Sequence, residues 1–176
     1  MRYKLTILLG VIFLLIPSFL FSLSVVIFAE IEAPEETVTP DEDDDDNGID
    51  PAELVRSRFE EGILDYFFSS PHIAFTAGAE WRETEDDALG DAVKSIEADV
   101  LVHAQLVLDR YPGEIPFQGN IRKVDYQIIF ADDTPAAEHE ISGTFIEDLA
   151  MTGGAKIFSL GRLVGESAGS IIAESR

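Results

Sequence analysis

The sequence predicts one α/β domain built in layers, a mixed sheet of about five strands with three helices packed on it, in the order β-α-β-α-β-β-β-α. Three observations carry the prediction. The stretch Ala98–Asp109 places Val100, Val102, Ala104, Leu106 and Leu108 on one face at period two, while Leu101 and Val107 make the other face apolar as well. A strand that needs cover on both sides belongs in the middle of a sheet. Segments of helical period alternate with strands before it, and strands of strict in–out alternation follow it. The first half therefore reads as crossover units and the second as a meander.

The elements follow in order. Arg2 and Lys4 precede a long apolar run, with Leu5 to Ile16 as its hydrophobic centre, Pro17 breaking it and Ser22-Leu23-Ser24 setting small residues where a signal peptidase cuts. Residues 1–24 are read as a signal peptide and residues 25–176 as the mature domain, which leaves a periplasmic or secreted protein with no membrane span after cleavage. The alternative is an uncleaved N-terminal helix that anchors the chain, since the run is long enough to cross a bilayer. Val25–Glu32 has strand chemistry, β-branched at first and then alternating, with Ala29 and Ile31 inward.

Residues 33–50 form an acidic loop around the block Asp41–Asp46, whose like charges resist packing. Asp50-Pro51-Ala52-Glu53 opens the first helix with a capping aspartate, a proline at the first helical position and an acid in the first turn. Leu54, Val55, Phe59, Ile63, Tyr66 and Phe67 form its inner stripe, and Ser69-Ser70-Pro71 ends it. A short strand at 72–78 puts Ile73, Phe75 and Ala77 on one side. Thr84–Asp87 is a second capping signature, before a helix reaching about Glu97 with Leu89, Ala92, Val93 and Ile96 inward. Trp81, just ahead of it, is either an exposed recognition aromatic or a core plug, the plug being the plainer reading. After the central strand, Val124, Tyr126, Ile128 and Phe130 alternate with Lys123, Asp125 and Gln127, and a partner strand runs from Ala137 to Ile146 with Ile141 and Phe145 inward. A loop over 147–155 leads to a final helix, Lys156–Ser175. Gly161, Gly165 and Gly169 share one face of it, so another backbone comes very close: the sheet or the first helix, or alternatively a second copy of the chain in a homodimer seam.

Composition limits the function. A formal charge of −22 repels phosphate backbones, so no nucleic-acid binding is expected. The chain has no cysteine, which excludes disulfides, thiolate metal sites, a cysteine nucleophile and the acylated cysteine of a lipoprotein.

Phe67–Phe75 after a helix, then Glu97-Ala-Asp-Val-Leu-Val-His103, then the meander strand Asp125–Asp132 resemble a group of envelope accessory domains. These are the penicillin-binding-protein activator lipoproteins, the curli secretion channel protein and the amino-terminal domain of the Tol-system propeller protein. The likeness lies in the order of elements over residues 25–175. It implies a non-catalytic periplasmic domain that binds another envelope component, and no functional residue carries over with it.

Candidate chemistry is sparse. Asp43, Asp45, Asn47 and Asp50, with Gly48 between them, match the opening of a calcium loop, but Leu54 stands where the closing glutamate belongs. Calcium is thus the one cofactor the sequence suggests, against the plainer reading of a solvated acidic loop. His72, His103 and His139 form no local metal motif; His103 and His139 could meet across strands in a zinc or acid–base role, but a hydrogen-bonded strand histidine is the plainer reading. Three functions are expected in this order: an envelope interaction domain, a calcium-responsive protein, and a hydrolase that uses paired carboxylates.

Overall fold

The structure is a computed structural model, and it describes residues 22–34, 50–78, 81, 88–110, 121–132, 134, 136–148 and 153–175. The acidic residues 35–49, and with them Asp43, Asp45 and Asn47, lie outside the described residues, as do residues 1–21 and the capping sequence 84–87.

Five strands, β1 (Ser24–Glu32), β2 (Ile73–Thr76), β3 (Val100–Leu108), β4 (Ile121–Phe130) and β5 (Ala137–Ile141), form one sheet in the order β2-β1-β3-β4-β5. β1 runs parallel to both β2 and β3, whereas β3–β4 and β4–β5 are antiparallel. The sheet is therefore mixed and β3 is its middle strand, with every residue buried except the half-buried Gln105. Helix α1 (Pro51–Phe68) crosses from β1 to β2, and α2 (Leu89–Ser95) precedes β3. The short α3 (Gly143–Asp148) and the long α4 (Gly153–Glu174) close the chain.

Asp50 caps α1 as its sequence indicates, its carboxylate accepting from the Ala52 N–H at 2.8 Å. Helices α1 and α4 lie side by side on one face of the sheet. Phe59, Ile63 and Phe67 of α1 and Leu160, Val164 and Ile172 of α4 pack there on Val25, Ile27, Val102, Leu106 and Ile128. The two helices run parallel at near-contact distance. A Cβ placed on Gly161 would stand 2.0 Å from the Phe59 carbonyl oxygen, and one on Gly62 would stand 2.0 Å from that of Phe158. Gly165 and Gly169 make room for the Tyr66 side chain. The glycine face is thus filled by α1 of the same chain, one of the two neighbours the sequence expects there.

The opposite face carries a smaller core. Val26, Phe28 and Leu101 of the sheet are covered by Leu89 and Val93 of α2 and by Trp81, which is a core plug at 6 % exposure. Helix α2 stops at Ser95. Glu97 takes a left-handed conformation at φ 56°, and the Ala98 and Glu97 N–H groups return to the Val93 and Lys94 carbonyls. That reversal swings Ile96, expected inside, out to 41 % exposure.

One further expectation needs correction. The last strand ends at Ile141 rather than Ile146, and a fourth helix, α3, takes its place. At Gly143 the chain passes so near β4 that a Cβ would lie 2.5 Å from the Arg122 carbonyl oxygen. The helical turn that follows sends Ile146 into the main core and leaves Phe145 49 % exposed, the reverse of what a strand period predicts. On β2, Ile73 and Phe75 share a face as expected, but that strand is a sheet edge and Ile73 remains 66 % exposed. Ser24 is the first residue of β1, and Leu23 before it is buried in the main core.

Candidate functional site

Residues at alternate positions of a strand share a face, and register aligns them across strands. On the face carrying α2, this places two polar ladders beyond the end of the small core. One reads Glu30–Gln105–Asp125–Glu140 across β1, β3, β4 and β5; the other begins at Phe28 and continues through His103, Gln127 and Glu138. Gln105, Asp125 and Gln127 are half-buried, and Glu138 and Glu140 are exposed. They line a shallow depression of about 430 Å³. Lys123 lies on the same face, with its ammonium 2.6 Å from Asp125 and 3.8 Å from Glu140. Its hydrogen bond to Asp125 and the charges of Asp125 and Glu140 hold it above the ordinary lysine value.

His103 joins the ladders to the small core. It is 7 % exposed, stacks on Phe28 with ring centres 5.2 Å apart, and its Nε2 lies 2.9 Å from a Glu30 carboxylate oxygen. Nε2–H is therefore the donor, and Nδ1 is buried with no partner among the described residues. His103 is the hydrogen-bonded strand histidine that the sequence favours. It does not meet His139, which stacks on Tyr126 from the opposite face; the Tyr126 hydroxyl there donates to Ser167 Oγ at 2.7 Å.

Glu30 also borders a crevice of about 230 Å³ between the end of β1 and the start of α1, lined by Ala29, Ile31, Asp50, Glu53 and Arg56. Arg56 is held on both sides. Its Nε and one terminal nitrogen bond Glu53, and the other terminal nitrogen bonds Glu60 at 2.8 Å. Both carboxylates are thereby engaged by one guanidinium, which does not leave the opposed acid and base that glycosidic hydrolysis needs. Burial pushes the Glu60 carboxyl above its ordinary value, and the charge of Arg56 only partly offsets this. A raised folded-state value means that this group's contribution to stability is fully present below the unfolded glutamate pKa of about 4.3 and is lost as pH rises through the folded value. Glu60→Gln, which carries no charge to desolvate, should accordingly gain on the native chain as pH rises from about 4 to about 7. Urea unfolding across that range checks it, and a pH-independent difference would refute it.

No group of three or more histidine or acidic side chains is placed to hold a metal ion among the described residues. The one described member of the calcium set, Asp50, spends its carboxylate on the α1 cap. The sequence did mark the wet alternation of β4. The joining of Glu30, His103 and Gln127 into one surface escaped it, because those residues are brought together only by register across three strands.

Among the described residues no helix is long and apolar enough to cross a membrane. No family model matches the sequence, and no curated protein matches it. Among solved structures, the chain is similar to a PelC dodecamer from Paraburkholderia phytofirmans, with a TM-score of 0.40 and 11 % identity over 81 % of this chain and 86 % of that one.

Proposed function

We propose that this chain is an exported, non-enzymatic accessory domain of the cell envelope, and that it holds another envelope component against the polar ladders of its sheet. The observation that carries the reading is the two-sided economy of that sheet. One face is sealed by two long helices. Among the described residues the other is sealed only where α2 and Trp81 lie, and it continues as a broad, shallow surface of carboxylates and amides. A shallow surface of this kind suits a docked macromolecule better than a small substrate, which needs a concave site that removes most of its area from water. Glu30, Asp125, Glu138 and Glu140 outweigh Lys123 there, and the whole chain carries −22, so the partner presents positive charge. The basic start and apolar run of the sequence support export, and so does the resemblance to envelope accessory domains.

Photocrosslinking in intact cells tests this. A crosslinker at Gln127 should give a defined adduct, and one at Ser170, on the outer side of α4, should not. Glu138→Lys with Glu140→Lys should abolish the Gln127 adduct. Equal labelling at the two positions, or an adduct that ignores the charge reversal, would sink the proposal.

A further inference from the structure

We infer that the apolar N-terminal segment stays attached as a membrane anchor, and that the end of the domain where it enters, ringed by Phe68, Ile73 and Ile96, rests on the lipid surface. The inference rests on the export proposed above but not on the polar ladders.

The junction is the first observation. Leu23 is 3 % exposed within the main core; its N–H donates to His72 Nδ1 at 3.3 Å and its carbonyl accepts from Ile73 at 2.8 Å. The Ser24 N–H and hydroxyl both donate to the Asp99 carboxylate, at 2.8 and 2.9 Å, and the Asp99 N–H donates to the Ser24 carbonyl at 3.0 Å. Cutting after Ser24 would remove a buried leucine and the clasp that aligns β1 with β3. With β1 starting at Ser24, residues 5–22 remain as an apolar run, near the shortest length of about 17 residues that spans a bilayer. Arg2 and Lys4 flank it on the far side and no base follows before Arg56, which orients the domain away from the cytoplasm.

The second observation is where the exposed apolar side chains lie. β1, β2 and β3 are parallel and start together, Ser24 opposite Ile73 and Val25 opposite Val100. Phe68 ends α1 at this same end, Ile73 begins β2, and Ile96 precedes the turn into β3; they are 74, 66 and 41 % exposed. They flank the entry point of the N-terminal segment from both sides of the sheet. Of the large apolar side chains exposed among the described residues, only Phe145 lies away from this end and its β2 edge, beside the start of β4.

The apolar end carries exposed acids of its own, Glu97 and Asp99, which suits a zwitterionic lipid surface rather than an anionic one. The acid-rich residues between Glu32 and Asp50 leave and rejoin the fold at the opposite end of β1. Nine residues of strand put that junction roughly 30 Å from the apolar end. Physiological salt screens charge over about 8 Å. Glu32 and Asp50, where that segment leaves and rejoins the described fold, thus lie beyond screening range of the apolar end.

The chain has no cysteine, so single labels are clean. Phe68→Cys, Ile73→Cys and Phe145→Cys, each in the full chain and carrying an environment-sensitive fluorophore, would be reconstituted in phosphatidylcholine vesicles containing a spin-labelled lipid. Quenching at positions 68 and 73 should exceed that at 145 several-fold, and the intact mass of the membrane-bound protein should include residues 1–22. Equal quenching at all three positions, or a mass beginning at Val25, would overturn the inference. Either result with the Gln127 adduct intact would leave the proposed function standing.

Discussion

Gly161→Ala should cost about 3 kcal/mol or more, a large effect for a single added methyl group. The new Cβ would stand 2.0 Å from the Phe59 carbonyl oxygen and 3.1 Å from the Ile63 nitrogen, all backbone atoms of α1. Backbone cannot rotate aside as a side chain can, so relief requires the two helices to separate. Separation would open the main core, where Phe59, Ile63, Leu160 and Val164 are completely buried. The magnitudes show why glycine is there. Gly161, Gly165 and Gly169 together forfeit about 3 kcal/mol of helix propensity relative to alanine. A parallel helix pair in near contact, packed on the sheet along its length, recovers that and more. Gly62→Ala should behave alike, because its Cβ would meet the Phe158 carbonyl oxygen at 2.0 Å. Gly90→Ala is the control. It lies within α2, the nearest atom to its Cβ is Ile129 Cγ2 at 3.9 Å, and the exchange should stabilise by up to about 1 kcal/mol. Urea midpoints of the three variants decide the matter. If Gly161→Ala unfolds with the native chain, the helix pair is not as close as described. A loss of association with unchanged stability would favour the seam between copies.

Trp81→Ala should cost about 3 kcal/mol, at the lower end of what deleting a buried aromatic removes. The second core has few members, Val26, Phe28, Leu89, Val93, Ala98 and Leu101 besides Trp81 itself, so neighbours have little means of closing the gap. Its ring lies 6.3 Å from Phe28, whose other neighbour is the His103 ring. Loss of the plug should therefore loosen α2 and the His103–Glu30 pair together, while α1, α4 and the main core keep their helical signal. Phe145→Ala is the matched control: at 49 % exposure it should change stability by less than about 0.5 kcal/mol. Denaturant unfolding followed by circular dichroism checks both, and equal midpoints for the two variants would refute the account of the second core.

Much of this was legible in the chain. A strand apolar on both faces has to sit mid-sheet, and β3 does. The capping pattern at Asp50 and the glycine spacing in α4 each state a local physical requirement, and the structure meets both. What went wrong has local causes as well. Ile96 and Phe145 fit the period of a neighbouring element, but the left-handed turn at Glu97 and the crowded passage at Gly143 end those elements early. Periodicity carries no information about where a chain is forced to turn by something distant in sequence.

The sequence by itself determined the class of fold, the middle strand, the close approach demanded by Gly161, Gly165 and Gly169, and the acidic character of the chain. All of these are properties of residue type and spacing. Only the tertiary structure decided that the close approach is to α1, that His103 bonds Glu30 while His139 turns to the other face, and that Ser24 opens β1 while Leu23 packs in the main core. The reason is the same in each case. Which partner satisfies a requirement depends on strand register and helix direction, and those are set by the whole core packing at once.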